Sequence, residues 1–114
     1  MEELKAKIIA KIRWIFKTFN ITAHEFGLVC GYPNPNAMNQ LLNGSRSVTN
    51  IRNLWKFWEA TGLPIVWWID GSTDEFSSTE LDEIRKKLVM KLDEKRRSKK
   101  AIREVNEKMR VSKR

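Results

Sequence analysis

The sequence predicts an all-α chain, and three observations carry that expectation. Apolar residues recur at three- and four-residue steps, Thr22–Glu25 and Ser77–Glu80 have the form of capping boxes, and Gly31, Gly44 and Gly62 stand where helices would stop. With 114 residues, 41% of them hydrophobic and 32% charged, the chain suits one compact unit plus an appendage rather than two domains. We place the boundary at residue 71, with a helix-forming unit over 1–71 and a helical extension over 72–114.

Each element follows from local chemistry. From Glu2 to Phe19, Leu4, Ile8, Ile12, Ile15 and Phe19 form an apolar stripe joined by Ile9 and Phe16, while Lys5, Lys7, Lys11, Arg13 and Lys17 take the opposite, solvated side. A second helix starts at Thr22, whose hydroxyl and the Glu25 carboxylate each accept an otherwise orphaned amide, and it stops at Gly31. Tyr32-Pro33 extends the turn. Asn34 caps a third helix with Pro35 at its first position, running to about Asn43 and closed by Gly44. Its apolar side is Met38, Leu41 and Leu42, and its remaining surface is rich in uncharged carboxamides.

Asn50 caps a fourth helix whose broad buried face is expected to hold Ile51, Leu54, Trp55, Phe57 and Trp58 before Gly62 ends it. Pro64 opens a short, almost wholly apolar fifth helix containing Trp67 and Trp68, and Asp70-Gly71-Ser72 closes it. The Trp spacing argues for core packing rather than for a platform on which single-stranded nucleic acid would stack. In the extension, Leu81, Leu88, Ile102 and Met109 follow a seven-residue spacing that Lys95 and the KRRSKK run interrupt. That seam predicts either a homodimer contact or a basic arm.

Charge is unevenly spread. Residues 1–71 carry eight Lys and Arg against five Asp and Glu, whereas residues 95–114 carry ten against two, and the whole chain is +8. Such an excess favours a polyanionic partner. A lone Cys30, expected as a small buried hydrophobe, and the lack of a leader pattern suggest a cytoplasmic protein, and no stretch is apolar enough to suggest a membrane span. His24 has neither a nucleophile signature nor metal-ligand companions, so no enzyme activity, metal, cofactor or small-molecule substrate is expected.

Residues 22–71 resemble the helix-turn-helix domain of the lambda-repressor and Cro-type regulators. The likeness rests on Gly27 four positions before Gly31, on Met38 and Leu41, on Asn43-Gly44, and on the closing run from Gly62 to Gly71 with its Trp residues. Two departures stand out: the interval from Gly31 to Gly44 is one residue longer than the family shows, and Ala23 replaces the usual Gln near the start of the second helix. The resemblance implies a five-helix lambda-repressor-like domain with a C-terminal helical extension, and a phage or bacterial repressor that occupies operator DNA as a homodimer. Asn36, Asn39 and Gln40 would then read base edges, with a bias to A·T pairs because a carboxamide matches adenine and no Arg or Lys lies on the third helix. Ser45, Arg46, Ser47, Arg52 and Lys56 would hold phosphates, helped by Thr22 and His24 at the start of the second helix. The alternative is an antitoxin or adaptor that uses the same scaffold to bind a protein.

Overall fold

A computed structural model describes residues 2–112, with side chains through residue 108. Six helices occur among the described residues: α1 (Glu2–Phe19), α2 (Ala23–Cys30), α3 (Ala37–Leu42), α4 (Ile51–Thr61), α5 (Ile65–Asp70) and α6 (Ser78–Ser112). The described part is all-helical and holds no strand. Local capping accounts for most boundaries. Thr22 Oγ1 accepts the Glu25 amide at 3.1 Å while the Glu25 carboxylate accepts the Thr22 amide at 3.0 Å, and Ser77 and Glu80 repeat the arrangement before α6. Gly31 and Gly62 take the left-handed conformation that closes α2 and α4.

α3 begins later than the sequence suggests. The Asn34 side chain accepts the Asn36 amide at 2.8 Å and the Asn34 carbonyl accepts the Ala37 amide at 3.0 Å, so Asn34–Ala37 is a tight turn with Pro35 in its second place. Asn34 is therefore a turn residue rather than the N-cap. Asn36 occupies the N-cap without a side-chain capping bond.

One aromatic and aliphatic core joins all the elements. Ile8, Ile12 and Ile15 of α1, Phe26 of α2, Leu41 of α3, Phe57 of α4 and Trp68 of α5 are fully buried, and Phe57 bridges Phe26 and Trp68 with ring centroids 6.2 and 5.1 Å apart. Trp67 and Trp68 are core residues, as expected, and their indole N–H groups donate to the Ser72 and Leu63 carbonyls. Trp14 stacks on Phe76, which seals the loop before α6 onto the core. α2 and α3 cross at Gly27, where a Cβ would lie 3.5 Å from the Met38 Cβ, an ordinary contact distance.

Two further expectations need correction. Lys11 is not on the solvated side of α1: it is buried, and its ammonium donates to the carbonyls of Trp67 at 2.7 Å and Trp68 at 2.9 Å while lying 5.1 Å from the Trp67 ring centroid. These carbonyls belong to the last turn of α5, where helix geometry leaves acceptors unpaired and the dipole is negative. Burial, and next the neighbouring Lys7, lower the Lys11 pKa.

The second correction concerns α4. Ile51, Trp55 and Trp58 are 64%, 50% and 38% exposed rather than part of a broad buried face. At 3.6 residues per turn, Leu54, Phe57, Ala60 and Thr61 make one arc, and Ile51, Trp55 and Trp58 make another centred roughly 120° away. The helix buries one arc and leaves the other open.

Ile84 and Leu88 of the extension are buried in the same cluster as α1–α5. α6 crosses α2 and α4. It stays helical through the KRRSKK run, because solvated Lys and Arg are good helix formers. Its 35 residues correspond to about 52 Å, nearly the longest extent of the molecule, 57 Å. Beyond Leu92 every described side chain is exposed, Ile102 and Val105 included, so the distal half overhangs the core. This overhang raises the radius of gyration to 16.3 Å, against about 13 Å for a compact chain of this size. The side chain of Met109, the last position of the expected seam, lies outside the described residues.

Candidate nucleic-acid interface

The carboxamide surface of α3 is open. Asn36 and Asn39 are exposed, on the side away from Ala37, Met38 and Leu41, which face the core. Gln40 is only half exposed: its Oε1 is buried without a hydrogen-bond partner, so its carboxamide points partly into the protein. Asn43 is held as a C-cap residue, its side chain accepting the Ser45 amide at 2.9 Å.

The loop after α3 is fixed from beneath. Gly44 turns with φ +88°, the Arg46 amide donates to the Gln40 carbonyl at 3.0 Å, and Val48 is fully buried as an anchor. Ser45, Arg46 and Ser47 are thereby displayed beside α3, all three exposed. Ser47 shares a 2.9 Å hydroxyl contact with Thr49. Arg52 is exposed in the first turn of α4, where the Asn50 side chain accepts its amide at 2.8 Å.

Residues without a sequence motif hold this surface together. The Tyr32 hydroxyl donates to Asn53 Oδ1 at 2.6 Å, and Asn53 Nδ2 donates to the Ser47 carbonyl at 2.7 Å, tying the turn after α2 to α4 and to the loop. Lys56 lies over the Tyr32 ring, 5.0 Å from its centroid, so its ammonium is positioned rather than freely swinging. Burial pushes the Tyr32 phenol above its ordinary pKa, which keeps it a neutral donor. Lys5 of α1 also reaches this region: a Cβ on Gly44 would stand 2.7 Å from its Nζ. The sequence places Lys5 only on the solvated side of the first helix, and nothing in it points to Asn53.

The start of α2 is organised differently. The Glu25 carboxylate takes the Thr22 amide with one oxygen and Arg96 of α6 with the other, at 2.9 Å. These contacts, the Thr22 amide first, hold the Glu25 carboxyl below its ordinary pKa. An internal anion therefore stands where Thr22 was expected to meet a phosphate, while His24 beside it is exposed. Among the described residues no hydrogen bond or ion pair joins Thr22 or His24 to α3, whereas Asn36, Asn39, Ser45, Arg46, Ser47 and Arg52 lie on one segment of chain, residues 36–52.

The electrostatics of that strip are one-sided, because no Asp or Glu occurs from Phe26 to Trp58 while Arg46, Arg52 and Lys56 do. Cys30 is buried, and desolvation raises its thiol pKa, so it is a packing residue rather than a nucleophile. Among the described residues, no group of His, Cys, Asp or Glu is placed to hold a metal ion, and no helix is long and apolar enough to cross a membrane. Comparison with known protein families, with curated proteins and with solved structures gives no match.

Proposed function

We propose that the chain is a sequence-specific double-stranded DNA-binding regulator built on a lambda-repressor-like helix-turn-helix, with α3 entering the major groove and repression arising from operator occupancy. The observation that carries this reading is the exposed carboxamide edge of Asn36 and Asn39, flanked by Arg46 and Arg52 in a stretch of chain without acidic residues. A carboxamide donates and accepts at once, which matches the adjacent acceptor and donor of adenine. Ser45, Arg46, Ser47, Arg52, Lys56 and Lys5 serve as backbone contacts that set register and affinity. Gln40, with its oxygen turned inward, contributes less than Asn39.

Selection of binding sites from random duplex DNA tests this directly, with Asn39→Ala and Arg46→Ala as probes. Asn39→Ala relaxes preference at one position by about 1–3 kcal/mol, whereas Arg46→Ala weakens all duplexes alike and lowers the salt slope by about one. Failure to select any motif, or binding indifferent to both substitutions, overturns the reading. The second reading is an adaptor or antitoxin that docks a protein on the same surface. It is favoured by the lack of any Lys or Arg on α3 itself, and it predicts binding that changes little with added salt.

A further inference from the structure

Ile51, Trp55 and Trp58 form an open apolar stripe along α4, with the two indoles in edge contact, centroids 5.1 Å apart. Each of the three leaves roughly 100 Å² of surface in water, which gives a patch of about 300 Å², the size of the central cluster of a standard interface of ~800 Å² per partner. The charges beside the stripe are arranged with opposite signs at its two ends. Arg52 and Glu59 are both exposed, seven residues apart on the same flank, and neither side chain makes an ion pair with a described residue.

We propose that this stripe is a two-fold homodimer contact, in which α4 packs antiparallel against α4 of a second copy. In an antiparallel helix pair the same flank of each helix meets across the axis. With the axis at Trp55–Lys56, Arg52 faces Glu59 of the partner subunit, and the symmetry repeats that pair. The indoles meet at the centre and exclude water from the apolar patch, the position where aromatic side chains contribute most to association.

The overhanging half of α6 is the poorer dimer surface. Its Leu88 position is buried in the core and Leu81 is half-buried, which leaves Ile102 as the exposed described apolar member of the expected seam. Residues 95–114 carry ten cations against two acids, so two such segments repel one another. The α4 contact does not need that segment, and it takes Arg52 out of the phosphate-contacting set, leaving that role in the dimer to Arg46, Lys56 and Lys5.

Sedimentation equilibrium of the full chain over a dilution series tests the assignment. The wild type is a dimer, and Trp55→Glu raises its dissociation constant by more than about tenfold. Arg52→Glu, an exposed change that leaves the core untouched, also weakens the dimer, and the double exchange Arg52→Glu with Glu59→Arg restores it. Ile102→Asp leaves it unchanged. A wild type that stays monomeric, a dimer indifferent to Trp55→Glu and Arg52→Glu, a double exchange that fails to restore association, or dissociation by Ile102→Asp would each overturn the proposal. Helical content by circular dichroism separates dissociation from unfolding in every variant.

Discussion

Replacing Lys11 by Met keeps an unbranched stem of similar length but removes the ammonium that joins α1 to the end of α5. The Trp67 carbonyl retains a second donor, the Gly71 amide at 2.7 Å, whereas Lys11 is the donor that reaches the Trp68 carbonyl. A buried carbonyl left unpaired costs about 1–3 kcal/mol, and the lost cation–π contact with Trp67 adds about 0.5–1 kcal/mol. Relief of the cost of burying a charge offsets part of this, so the net destabilisation is about 2 kcal/mol, read from the urea midpoint at unchanged m. The alkaline side gives a second signature. Because burial lowers the Lys11 pKa from 10.5, the unfolded chain holds more protons between the lowered value and 10.5, and wild-type stability gains a rising contribution across that window. In Lys11→Met that contribution disappears. An unchanged or higher urea midpoint would refute the reasoning, because it would mean that desolvation outweighs both carbonyl contacts.

The remaining predictions concern glycines and one carboxylate. Gly71→Ala places a Cβ 2.1 Å from Trp67 Cδ1 and 2.7 Å from the Trp67 carbonyl oxygen, and thermal unfolding should show a loss of about 1–3 kcal/mol. Gly27→Ala brings its Cβ only into ordinary contact with Met38, so the helix gains up to about 1 kcal/mol and the melting temperature rises. A fall would mean that α2 and α3 tolerate no side chain at their crossing. For Glu25, a folded pKa below 4.5 means a stabilising contribution present above that value and lost as pH falls through the folded one. Glu25→Gln therefore flattens the acid limb of stability measured by urea titration between neutral and acidic pH, and equal acid sensitivity in both proteins would contradict the assignment.

The parts of the fold that were legible in the sequence are those decided within a few residues. The capping boxes at Thr22 and Ser77 and the left-handed glycines at Gly31 and Gly62 need only local hydrogen bonds, so their residue types declare them. Periodicity identifies apolar positions but not which arc of an over-wide apolar face meets the core, and for that reason Trp55 and Trp58 were expected inside. Lys11 was illegible for the converse reason: its burial depends on two carbonyls more than fifty residues away in sequence. At the candidate interface the exposed Asn36 and Asn39 lie where helix spacing puts them and Arg46 lies in the loop after α3, while the Tyr32–Asn53–Ser47 link and Lys5 depend on tertiary approach.

The long α6 spans two regimes of stability. Up to Leu92 its backbone is locked by side chains shared with the aromatic core, so it melts when that core does. Past Arg96 only its own turns sustain it, and an isolated run of that length is marginal in water. Mild denaturant accordingly lowers far-ultraviolet ellipticity before tryptophan emission shifts, and the two curves are not superimposable.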